Sequence, residues 1–136
     1  MGFTFGHPRP VITLTTDFGS RDGYVAAMKG VILDMSPGAT LVDISHDLPA
    51  HDVGHAAFLL GAICGYFPVG TVHVAIVDPG VGTERRSLVV VTPHGTYVAP
   101  DNGLLTYVYE RYCSDRNIVD EPYHTFMSRV PDLCKA

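Results

Sequence analysis

Two carboxylates, each delivered by a strand-like run into a permissive loop, are the residues of this chain best placed for chemistry. In Val77-Asp78-Pro79-Gly80-Val81-Gly82-Thr83-Glu84-Arg85-Arg86 an apolar run ends on an Asp, a Pro/Gly turn follows, and two guanidinium groups come next. In Thr13-Leu14-Thr15-Thr16-Asp17-Phe18-Gly19 a β-branched run ends on a second Asp. An ionised carboxylate is an acceptor with two oxygens, so Asp17 suits a ribose diol as well as a tight turn. Asp78 and Arg85 suit a bound water, the guanidinium favouring hydroxide and the carboxylate orienting it, or else a surface ion pair of little energetic weight. The Gly80-Val81-Gly82-Thr83 turn lets backbone amides come close to a ligand. It lacks the Gly-Lys-Ser/Thr ending of a P-loop and the third glycine of a dinucleotide fingerprint. Asp22 stands where a helix N-cap is expected. His51-Asp52-Val53-Gly54-His55 places two histidines four apart, a spacing shared with metalloprotease helices, although Asp replaces the Glu base and no third ligand motif follows.

These residues need a scaffold that ends several strands at one edge. Val11–Thr16 reads as a strand, and Tyr24–Met35 as a helix with Val25, Met28, Val31, Ile32 and Met35 on one face, stopped by Ser36-Pro37-Gly38. Thr40–Ser45 reads as a second strand. Asp52 can cap a second helix, which ends at residues 66–70, and residues 71–77 form a third strand. Residues 88–92 and 96–99 flank Pro93-His94-Gly95 as a hairpin; residues 104–111 follow as a short helix after the Pro100-Asp101-Asn102-Gly103 turn. The expected class is α/β, a largely parallel central sheet flanked by helices with an antiparallel hairpin. In such sheets ligands bind at the carboxyl ends of strands, where Asp17, His46-Asp47, Asp78 and Asp101 all fall. His73 reads as a satisfied core residue. Residues 1–10 read as a loose lead-in, residues 11–112 as the domain, and residues 113–136 as a tail without a recognisable element.

The chain has 136 residues, 46% apolar and 17% charged, with a net charge of −5. That composition is globular, and the acidic balance argues against a nucleic-acid surface. Cys64, Cys113 and Cys134 form no CxxC pair and point to free thiols. No signal peptide or membrane span is read from the sequence, so a cytoplasmic location is expected.

Five motifs in order carry a resemblance: Thr15-Thr16-Asp17-Phe18-Gly19, Met28-Lys29-Gly30-Val31-Ile32, Val42-Asp43-Ile44-Ser45-His46, Val77-Asp78-Pro79-Gly80-Val81-Gly82-Thr83 with Arg85, and Pro100-Asp101-Asn102-Gly103-Leu104-Leu105-Thr106. Over residues 11–112 the chain resembles the S-adenosyl-L-methionine hydroxide adenosyltransferases, relatives of the fluorinase and chlorinase enzymes. The resemblance implies hydrolysis of S-adenosyl-L-methionine, as substrate and without a cofactor, to adenosine and L-methionine. Asp78 and Arg85 match two members of a water-binding triad, Asp17 matches the ribose carboxylate, and Asp22 and His51 align with nucleoside-side positions. Asp at 78, where the fluorinase motif has Tyr, favours hydroxide over halide because a carboxylate repels halide ions. The family continues into a Thr-Phe-His-Gly-Arg-Asp motif and a β-rich C-terminal domain, and forms trimers with sites shared between subunits. Here Ser128-Arg129 leads into Val130-Pro131-Asp132, so the third triad member and the second domain are not matched. Slow or absent turnover is therefore expected of these 136 residues alone. A non-catalytic nucleoside-binding or assembly module is the alternative, and a zinc hydrolase using His51 and His55 a further one.

Overall fold

The computed structural model describes residues 9–80, 86–112 and 119–122. Among the described residues six strands form one sheet in the order β2-β1-β3-β5-β4-β6. They are β1 (Val11–Thr16), β2 (Thr40–Ser45), β3 (Thr71–Ile76), β4 (Ser87–Val91), β5 (Gly95–Pro100) and β6 (Val119–Pro122). Strands β2, β1, β3 and β5 run parallel, whereas β4 is antiparallel to both β5 and β6. The hairpin thus joins the sheet through its second strand, which extends the parallel array. The tail carries an edge strand that the sequence reading did not expect. Its register, Leu88↔Pro122 to Val91↔Val119, shows why: the strand is defined by its pairing to β4 rather than by a pattern of its own.

Three helices among the described residues flank the sheet: α1 (Tyr24–Met35), α2 (Val53–Ile63) and α3 (Thr106–Tyr112), with a 3-10 turn over Cys64–Tyr66 prolonging α2. Asp52 caps α2 as expected, its Oδ1 accepting from the His55 amide at 3.0 Å, a contact worth about 1 kcal/mol. Asp22 does not cap α1: the N-cap is Gly23, which makes no side-chain cap. Val25, Met28 and Ile32 of α1 are half-buried, but Val31 and Met35, expected on the same face, are exposed.

The core lies between the sheet and the α2/α3 layer, built from Ala56, Leu60, Cys64, Ala75, Val77, Val90, Tyr97, Leu104, Leu105 and Val108. Gly61 makes this layer possible, because a Cβ there would stand 2.6 Å from Tyr107 Cβ. Successive strand residues point to opposite faces. In β3, Thr71, His73 and Ala75 are buried while Val72, Val74 and Ile76 are only partly so, and this alternation marks the α2/α3 face as the sealed one. The opposite face is α1's, and Lys29 of α1 reaches Asp43 of β2 there at 2.7 Å.

Candidate functional site at the carboxyl ends of the parallel strands

The chain leaves β1, passes through α1 to β2 on one side, and returns through α2 to β3 on the other. The β1/β3 border is therefore the point where the strand order reverses, the usual ligand crevice of a doubly wound sheet. The β1–β3 register closes at Thr16↔Ile76. Asp17 consequently leaves the sheet beside Val77, and Asp78 follows one residue later. Asp17, singled out from sequence, and Asp78 thus emerge at adjacent strand ends.

Asp17 is half-buried, and its Oδ2 accepts from the His51 backbone N–H at 2.7 Å. His51 has a φ of 63°, unusual for a residue with a side chain, and it precedes the N-cap Asp52. The carboxylate contact and the left-handed turn fit together: two expected nucleoside-side residues meet, but through the backbone of His51. The same geometry corrects the metalloprotease comparison, since His51 lies outside α2 and only His55 lies within it. Among the described residues no group of three or more His, Cys, Asp or Glu could hold a metal ion.

Asp78 is half-buried, and its Oδ1 accepts from the Gly80 amide at 3.1 Å, closing the turn after β3. Arg85 and the Val81-Gly82-Thr83 portion of the glycine turn lie outside the described residues, as do Cys113, His124 and Cys134. Arg86 pairs with Asp101 across the β4 and β5 ends at 3.0 Å. Asn102, read from sequence as a turn residue, bridges strand ends: its Nδ2 donates to Val77 O at 2.9 Å and its Oδ1 accepts from Leu104 N at 3.2 Å. Gly103 carries the positive φ of 92°. Asp22 is exposed on the segment entering α1.

The loop after β1 is also tied to the exit of β2. Gly19 N donates to His46 O at 2.7 Å, with Gly19 at a φ of 74° that its missing side chain permits. Ser20 Oγ donates to Asp47 Oδ1 at 3.2 Å. Behind the loop, buried Thr16 Oγ1 lies 2.7 Å from His46 Nδ1, and His46 Nε2 lies 2.7 Å from Asp43 Oδ1. Lys29 takes the other oxygen of Asp43. The Lys29 hydrogen bond first, and the His46 contact second, hold the Asp43 carboxyl below its ordinary pKa. Sequence reading quoted these residues within motifs but missed their convergence; Asp43 and His46 at the end of one strand were the available signal. Two open grooves of about 450 and 480 Å³ lie along α2 and α3 beside Arg111 and share no residue with these strand ends.

Helices on both faces of a mostly parallel sheet, with carboxylates and turns gathered at the reversal of strand order, define a doubly wound α/β domain. The chain belongs to the S-adenosyl-L-methionine hydroxide adenosyltransferase family: the sequence model of that family's N-terminal domain matches residues 12–129. It is 47% identical over 129 residues to the (R)-S-adenosyl-L-methionine hydrolase of Methanocaldococcus jannaschii, covering 88% of this chain and 49% of that protein. The fluorinase of an Actinoplanes strain is 30% identical over 151 residues, covering 88% and 51%. A crystal structure of a conserved hypothetical protein from Thermus thermophilus superposes with a TM-score of 0.73 at 40% identity, covering 90% of this chain and 51% of that one. The chain spans about half the length of the curated relatives it matches.

Proposed function

We propose that this domain supplies the ribose-holding and water-orienting half of an enzyme that hydrolyses S-adenosyl-L-methionine to adenosine and L-methionine. The observation that carries the reading is the emergence of Asp17 and Asp78 from adjacent parallel strands at the β1/β3 border, in a chain 47% identical to a relative named for this hydrolysis. On this reading Asp17 accepts hydrogen bonds from the ribose hydroxyls, with Asp22 and His51 on the nucleoside side, and Asp78 with Arg85 holds the nucleophilic water. The water oxygen attacks ribose C5′ opposite sulfur. The C5′–S bond breaks with its electron pair going to sulfur, methionine leaves as a neutral thioether, and the water's proton passes to solvent. Because a sulfonium leaves without acid assistance, the protein's work is alignment and exclusion of bulk water. S-adenosyl-L-methionine is the substrate, with no separate cofactor. A site completed by a second domain, assembly as a homotrimer and action in the cytoplasm belong to the same proposal. No described helix is long and apolar enough to cross a membrane.

The test is incubation of the chain with each sulfonium epimer of S-adenosyl-L-methionine, alone and joined to the C-terminal half of the Methanocaldococcus relative. Equal yields of adenosine and methionine from the joined protein, and slow turnover by the chain alone, are expected. Asp78→Asn in the joined protein should lower kcat far more than substrate affinity, because it removes a group that acts on the nucleophile. A joined protein that binds either epimer and releases no product overturns hydrolysis in favour of a nucleoside-binding module.

A further inference from the structure

Strand β2 contains an extra residue just before the candidate site. Its pairing with β1 runs Leu14↔Asp43 and then Thr15↔Ser45, leaving Ile44 without a partner in the β1 register. In a regular strand, residues three apart point to opposite faces, so Asp43 and His46 could not meet. The bulge changes the parity. It turns His46 onto the face of Asp43 and brings it level with Thr16, two residues beyond Leu14 on that same face. The 2.7 Å contacts of His46, the residue following β2, with Asp43 and with Thr16 both fit this offset.

The hydrogens along this chain of contacts can be assigned. An ionised carboxylate only accepts, so His46 Nε2 carries a hydrogen and donates to Asp43. In the neutral ring Nδ1 is then the acceptor, and Thr16 donates its hydroxyl to it. The lone pairs of Thr16 Oγ1 are left to accept from the Phe18 amide, at 3.2 Å. Lys29 occupies the other oxygen of Asp43 and fixes its orientation. The carbonyl of the same His46 holds the Gly19 amide. Both amides following Asp17 are therefore fastened by one residue, the Phe18 amide through Thr16 and the Gly19 amide directly.

We infer that His46 is a positioning residue for the Asp17 carboxylate, acting through Thr16 and set in a single ring tautomer by Asp43 on the β2 bulge. This inference rests on the reading of Asp17 as the ribose-diol acceptor. A buried histidine that merely fills space would need neither a bulge nor a carboxylate to orient it.

Three measurements on the 136-residue chain test it. Ring nitrogen NMR of His46 is expected to show a protonated Nε2 and a bare Nδ1; the other tautomer overturns the assignment. Thr16→Val keeps the volume and removes the hydroxyl, whereas Thr16→Ser keeps the hydroxyl. Hydrogen exchange at the Phe18 amide is expected to accelerate about tenfold in Thr16→Val and to recover in Thr16→Ser, in line with loss of one partly buried hydrogen bond. Unchanged exchange in Thr16→Val overturns the inference. Calorimetric affinities for adenosine and 2′,3′-dideoxyadenosine supply the third readout. Thr16→Val is expected to shrink the preference for the diol by about tenfold, with Thr16→Ser restoring it. Equal weakening for both nucleosides means a structural role and overturns it. If the unsubstituted chain itself shows no preference for the diol, the reading of Asp17 has failed, and the tautomer and amide exchange still decide whether His46 fixes the loop.

Discussion

Strand β1 carries a threonine–histidine pair on each of its two faces. On the α1 face Thr16 meets His46 Nδ1 at 2.7 Å; on the α2/α3 face Thr13 meets His73 Nδ1 at the same 2.7 Å. Both imidazoles are buried. What separates them is the second ring nitrogen. His46 Nε2 finds Asp43, and through it Lys29, at the edge of the sheet. His73 Nε2 has no hydrogen-bond partner among the described residues, and its ring stacks on Tyr97 at 4.9 Å with Phe67 edge-on at 5.6 Å. The inner contact is the same, and the outer one decides the role: an ionic anchor makes one histidine a directed link to the Asp17 loop, while an aromatic cage makes the other part of the core. Burial pushes His73 down to about 4, with the charge of nearby His94 adding to the effect.

The largest test of the contrast is acid. The unfolded chain binds a proton at His73 near pH 6.5 and the folded chain only near 4, so in that window the unfolded state holds more protons. The contribution of neutral His73 is complete above pH 6.5. It declines as pH falls through the window and is fully lost below about 4, on the order of 3 kcal/mol in all. Urea unfolding across pH should show this slope, and His73→Leu should remove it; a slope unchanged in His73→Leu assigns the acid sensitivity elsewhere.

Next in size is Thr13→Val, which leaves His73 Nδ1 without its partner. We expect a loss of about 1–3 kcal/mol with no change in nucleoside discrimination, the inverse of Thr16→Val. If Thr13→Val alters nucleoside discrimination, the two faces are coupled and the contrast fails. Gly61→Ala comes third. Its new methyl forces α2 and α3 apart at Tyr107, at a cost of about 1–3 kcal/mol. Chemical denaturation should report that cost, and the His46 ring tautomer should be untouched, since His46 lies on the opposite, α1 face. The smallest expected effect is Lys29→Met. Its ion pair with Asp43 is partly exposed and contributes under about 1 kcal/mol. The visible consequence should be a higher titration point for Asp43, followed by carboxyl carbon NMR, because the Lys29 hydrogen bond is the first cause of its lowered pKa.

The sheet and its helices were legible because their signals are local. The β-branched run 11–16 and the Ser36-Pro37-Gly38 stop define β1 and the end of α1 within the chain itself. Asp17 and Asp78 were legible for a related reason, since a carboxylate that closes a β-branched or apolar run falls at a strand end. Edge strand β6 was hidden because pairing with β4 creates it. The exposure of Val31 and Met35 was hidden because helical periodicity names a face without saying what covers it. The His46 chain was hidden twice over. Thr16 and His46 stand 30 positions apart, and the bulge that unites Asp43 with His46 violates the two-residue period by which strands are read.

The contact between Asp17 Oδ2 and the His51 amide has a stereochemical corollary. With one lone pair of Oδ2 committed to that amide, the carboxylate offers hydroxyl donors only the directions left around Oδ1 and the far side of Oδ2. Two hydroxyls on the same face of a furanose can share those directions, whereas an arabinoside turns its 2′ hydroxyl to the opposite face and can present only one. On the proposed role of Asp17 as the ribose-diol acceptor, a backbone amide held at an uncommon φ would thus make the site a reader of sugar configuration.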